Sequence, residues 1–261
     1  VDAAPLPWWS CRDRDGAAQW RVAVRADGRR HPHHATVGDV DDRAVADTIV
    51  LDHAGPAASR HAVERAVALV DAPIDPVSGR RARALLPVEV DAMIAAWSAA
   101  AARVRTLGRR VVIAVDDDGL LHRALSPLGG TPDPDVVLRV IAACAPCDLR
   151  LTIEDLAPGG IDATAGIAFA TRAVATAGAT RVFAGGGTAA FDPLWSRRKG
   201  RSVDTGGLGL ASAAWLPGRI GVPVVGVVRG AVDVDVVTRR ARALGLAGVL
   251  HLDDDADDQP G

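Results

Sequence analysis

The residues best suited to chemistry in this chain gather where apolar runs end. VVIAVDDDG closes on Asp116, Asp117 and Asp118, and TIVLDHAG closes on Asp52 and His53. Carboxylates and an imidazole brought together could hold a hard divalent cation such as Mg or Mn and support metal-assisted chemistry. The plainer alternative is a solvated acidic loop, or aspartates that cap a short helix and pair with Arg150. CAPC, from Cys144 to Cys147, has the spacing of a redox dithiol or of half a metal site, and equally of two semi-buried structural cysteines. Cys11 is the only other thiol, so a four-cysteine zinc or iron–sulfur site within this chain is excluded. HPHH (31–34) offers adventitious metal affinity or a solvated loop, and RRKGR (197–201) offers a phosphate or acidic-partner contact or plain surface. The chain has no tyrosine, so no phenol can act as acid or base.

These residues need a scaffold that brings strand ends together. From Asp47 onward short β-branched runs alternate with Ala-rich amphipathic stretches, the pattern of βα units and a parallel sheet. Strands are expected at 48–55, 110–117, 147–155, 180–187, 222–230 and 247–254, with RVAVRADG (21–28) as a further strand and turn. Each of the six begins apolar and ends in Asp, His, Arg or Gly, as buried parallel strands do when polar groups collect at their C-terminal ends. Helices are expected at 84–108, 133–144, 162–178 and 233–245. The first 35 or so residues, with Pro5, Pro7, Trp8, Trp9 and the RRHPHH run, read as loop or a loose layer.

The totals set outer limits. A chain of 261 residues with 49% hydrophobic side chains can bury a sizeable core. A net charge of -2 gives no global field for nucleic acid or an anionic membrane. Of the 30 lysines and arginines only Lys199 is lysine, a bias that reads as genomic composition rather than a phosphate-binding surface. No apolar run has the length of a membrane span, and no basic-then-apolar start marks a signal peptide. The first residue is Val, from which a trimmed or mis-assigned start is expected, and three cysteines suit a reducing, cytoplasmic setting.

Three segments together resemble one family. They are DHAG (52–55) with the following 76–108 stretch, GLLHRALSPL (119–128) before Gly129 and Gly130, and LRLTIEDLAPGGIDATAGIAFATRAVATAGATRVFAGGG (149–187). In order and spacing, over about 47–252, they are similar to the NADH:flavin oxidoreductases of Old Yellow Enzyme type. The resemblance implies a TIM-type (β/α)8 barrel that binds FMN, here with its N-terminal strands shortened or irregular. It divides the chain into an irregular 1–46, a barrel over 47–252 and an acidic tail over 253–261.

The same resemblance implies roles residue by residue. Arg150 matches the arginine beside the flavin N1 and O2, where a guanidinium stabilises the reduced ring. Arg229 and Gly230 match part of the cradle for the phosphate, Gly185, Gly186 and Gly187 would let the backbone approach the cofactor or else form a plain loop turn, and His53 matches a framework histidine. The departures are as informative. Val50 stands where the family has a flavin-bonding glutamine, and Asp52 where it has an aromatic. Ala114 and Asp117 stand where a His pair, or His and Asn, grip the substrate oxygen. The usual donor tyrosine has no counterpart. His251 and Leu252 replace a Gly-Arg phosphate site, Val228 replaces a glycine, and Asp253, Asp254 and Asp255 would repel a phosphate. The expectation is a divergent member with an eroded flavin and substrate site, its ene-reductase activity lost and its FMN in doubt. The alternatives are a non-catalytic partner of an intact homologue, and a metal-assisted enzyme built on Asp52, His53, Asp116 and Asp117. The expected partners are a small-molecule ligand and a second copy or homologous subunit.

Overall fold

The computed structural model describes residues 6, 8–12, 21–22, 32–35, 48–51, 87–106, 108, 110–115, 133–153, 161–185, 208–229 and 233–253. Nine strands form one sheet: β1 (Trp8–Arg12), β2 (Arg21–Val22), β3 (Pro32–Ala35), β4 (Thr48–Leu51), β5 (Arg110–Val115), β6 (Cys147–Thr152), β7 (Ala179–Gly185), β8 (Val224–Arg229) and β9 (Gly248–Asp253). Their order is β2-β1-β9-β8-β7-β6-β5-β4-β3. Every pairing is parallel except the short antiparallel contact of β2 with β1. Residues of β1 and β3, near opposite ends of that order, have Cα atoms within 8 Å of each other.

Helices α1 (Pro87–Thr106), α2 (Pro134–Cys144), α3 (Ala163–Ala177), α4 (Leu208–Ala213) and α5 (Val234–Ala243) lie between the strands in sequence. The start signals are local. Asp133, Asp162 and Asp233 each cap a helix, accepting from Val136 N–H, Ala165 N–H and Val236 N–H at 3.3, 2.7 and 3.0 Å. A side-chain oxygen there satisfies one of the amides that a helix start leaves over. Among the described residues, no helix is long and apolar enough to cross a membrane.

Alternate residues of β5, β7, β8 and β9 belong to different apolar clusters, as a period of two requires. Val111, Ile113 and Val115 of β5, Leu149 and Leu151 of β6, and Val182 and Ala184 of β7 pack with helix residues such as Trp97, Val137, Ile141 and Phe169. Val112 and Ala114 of β5, Phe183 of β7, Val225 and Val227 of β8 and Leu250 of β9 form a second cluster on the other face, to which no described helix contributes. The sheet is therefore buried on both faces across β5–β9, which explains why these strands read as near-continuous apolar runs. Gly226 shows how tightly the helical layer sits: a Cβ there would collide with Leu210 of α4 and come within 2.8 Å of Leu246.

The structure corrects the loop reading of two segments in the first 35 or so residues. Trp8–Arg12 and Pro32–Ala35, read from sequence as loop, are strands hydrogen-bonded to β9 and β4. Of the strand expected in RVAVRADG, Arg21–Val22 is in the sheet. Segments of four or five residues containing Pro, Trp and His carry no alternation to read, and neighbours distant in sequence supply their hydrogen bonds. Helix α4, in the Gly-rich GLGLASA, was also illegible for lack of a helical stripe.

Replacing Gly226 with Val is expected to destabilise the chain by about 1–3 kcal/mol, the usual cost of forcing volume into a packed core. The measurement is the urea midpoint, read at an unchanged slope.

Candidate functional site

Only three buried residues in the described core are polar or charged, and all belong to β6: Asp148, Arg150 and Thr152. The strand reads CDLRLT and all six residues are buried. Leu149 and Leu151 point into the helical core, so the alternation turns Asp148, Arg150 and Thr152 to the second face. A polar stripe thus runs along one strand of an otherwise apolar surface, from its N-terminal to its C-terminal end.

The N-terminal member is fully committed to neighbouring strands. Arg110, at the start of β5, donates from Nη2 to both carboxylate oxygens of Asp148 at 2.8 Å and from Nε to Oδ2 at 3.2 Å. Thr180 Oγ1 donates to Oδ1 at 2.8 Å, and Arg181 Nε stands 4.0 Å from Oδ2. Thr180 and Arg181 can both face one residue because the β6–β7 register slips between Cys147 and Leu149, leaving an extra residue on β7. Arg181 also lies over the ring of Phe183, 5.8 Å from its centroid. Asp148 is 1% exposed. A buried carboxylate needs this many donors to offset its lost hydration. These contacts fix the lower ends of β5, β6 and β7 relative to one another.

Arg150 is the middle member, 5% exposed. Its register partners are Ala114 on β5 and Phe183 on β7, both part of the second apolar cluster. Arg150 makes a further interaction besides this register pairing. Thr152 is the upper member and pairs in register with Gly185. At Gly185 a Cβ would stand 2.8 Å from Val227 Cβ and 2.9 Å from Val227 O. The missing side chain is thus accounted for by the close approach of β8, which leaves no cradle for a ligand at that residue.

Of the other residues singled out in sequence, Arg229 ends β8 and pairs through its backbone with Leu252, while its side chain lies outside the described part. His53, Asp116, Asp117, Gly186 and Gly230 lie outside the described residues. Within the described residues no three His, Cys, Asp or Glu side chains converge as metal ligands would. Asp148 and Thr152 were not singled out from sequence. Their signal was available: polar residues at every second position of CDLRLT, where the other central strands carry their polar residues toward their ends.

FMN, the cofactor implied by the resemblance, can be tested against this surface. An electron-rich ring edge would suit a cation held among apolar side chains, which Arg150 supplies. The phosphate end finds no support in the described residues. Gly185 is closed by Val227, and the first turn of α5, which follows β8, is already capped by the carboxylate of Asp233.

The CAPC pair joins α2 to β6 beside this site. Cys144 and Cys147 are free thiols and both buried. Burial pushes each thiol up to about 12 from an ordinary 9.0, reinforced by Cys147 at Cys144 and by Asp148 at Cys147, and opposed by Arg105. Arg105 Nη1 donates to the Cys144 carbonyl at 2.8 Å, tying the end of α1 to the end of α2. Thiols held protonated in this way are packing groups, not nucleophiles.

No family model matches this chain, and no curated protein matches it in sequence. Among solved structures, TcOYE with pHBA superimposes with a TM-score of 0.47 at 14% identity, over 78% of this chain and 62% of that one. The old yellow enzyme from Trypanosoma cruzi gives 0.45 at 14% identity over the same shares. The U32 peptidase Mk0906 gives 0.27 at 14% identity, over 98% of this chain and 95% of that one. This chain therefore spans 62% of the length of the first two proteins. These are distant likenesses of fold.

Two outcomes follow for this site. Replacing Arg110 with Met strands a buried carboxylate, at a cost of about 3 kcal/mol, and adding Asp148→Leu restores most of that stability. A double-mutant cycle by urea denaturation measures both. In a Cys11→Ser background, neither remaining thiol should react quickly with an aromatic disulfide reagent in the folded protein at neutral pH, and both should react once it is unfolded. The folded chain keeps these thiol protons between pH 9.0 and about 12 while the unfolded chain loses them. Stability present below the lower value is therefore lost as pH rises through that window.

Proposed function

We propose that this chain is a divergent barrel of flavin-oxidoreductase type that has lost ene-reductase chemistry and no longer holds FMN as a resident cofactor. Eight parallel strands, β1 and β3–β9, would close with β1 beside β3. The proximity of their Cα atoms supports closure, and so does a second sheet face that is buried without described helices against it. In such a barrel a ligand meets the C-terminal strand ends.

One observation carries the functional reading. Ala114 is the register partner of Arg150 and belongs to the apolar cluster of Val112, Phe183, Val225, Val227 and Leu250. By resemblance this is where a histidine would grip the substrate oxygen, and a methyl group there can donate nothing. The developing negative charge of a reduced enone would meet no donor from this strand position. Arg150 alone resembles what a flavin ring needs, and the phosphate end lacks a matching cradle in the described residues. What remains suits a binding protein: a shell of parallel strands with a cation set in an apolar wall.

The purified protein should be colourless, without a flavin band near ~450 nm. Added FMN should leave its melting temperature unchanged, since a ligand specific for the folded state must raise it. Neither NADH nor NADPH should drive reduction of an α,β-unsaturated ketone in the presence of added FMN. A yellow protein that turns over such a ketone would overturn the reading.

A further inference from the structure

We draw no further inference here: the strongest candidate, the exposed apolar patch of Trp215 and Leu244 on the turns leading into β8 and β9, carries nothing because nothing in the structure shows what covers it.

Discussion

Both faces of the central strands are withdrawn from water, and the rest of the molecule follows from that constraint. A parallel sheet buried on both faces can tolerate polar side chains only where it can satisfy them. The described core concentrates all of its polar residues on one strand. Asp148, Arg150 and Thr152 share one face of β6, between the apolar walls supplied by β5 and β7. The two charged members differ in kind. Asp148 is held by Arg110 and Thr180, with Arg181 close by, and is structural. Arg150 sits between a methyl group and an aromatic ring, two residues nearer the C-terminal end of β6.

The N-terminal ends of β5–β7 are locked by the Asp148 cluster and by a bulge that aims two β7 residues at one carboxylate. The buried CAPC thiols beside it add packing without reactivity. On the outside, ion pairs of Arg139 with Asp91 and of Arg172 with Asp135 run from α1 to α2 to α3. Being solvent-exposed, they contribute little stability each. Tight contacts such as Leu210 against Gly226 set the spacing between layers instead.

The glycines illustrate how one residue type serves different ends. From sequence, Gly185 reads as freedom for a backbone to approach a ligand. In the fold that space is filled by Val227 of the neighbouring strand, so the glycine belongs to the sheet. Gly218, Gly221 and Gly245 have left-handed backbones that shape two turns at the far end, where the exposed indole of Trp215 is held in place.

The sequence by itself determined the central units. Six strands, β4–β9, four helices and three Asp caps are written in local patterns: β-branched runs, amphipathic spacing and side chains that bond their own backbone amides. It also determined the chemistry available, with no tyrosine and with alanine where the family resemblance asks for histidine. Only the tertiary structure decided which short N-terminal segments become strands, because β1 and β3 depend on hydrogen bonds to β9 and β4. It alone decided that Asp148 is buried against Arg110, thirty-eight positions away. A carboxylate in a strand has no local signal for whether it meets water or a guanidinium. That outcome depends on which strands become neighbours and in what register, and neither is encoded within a few residues of the group concerned.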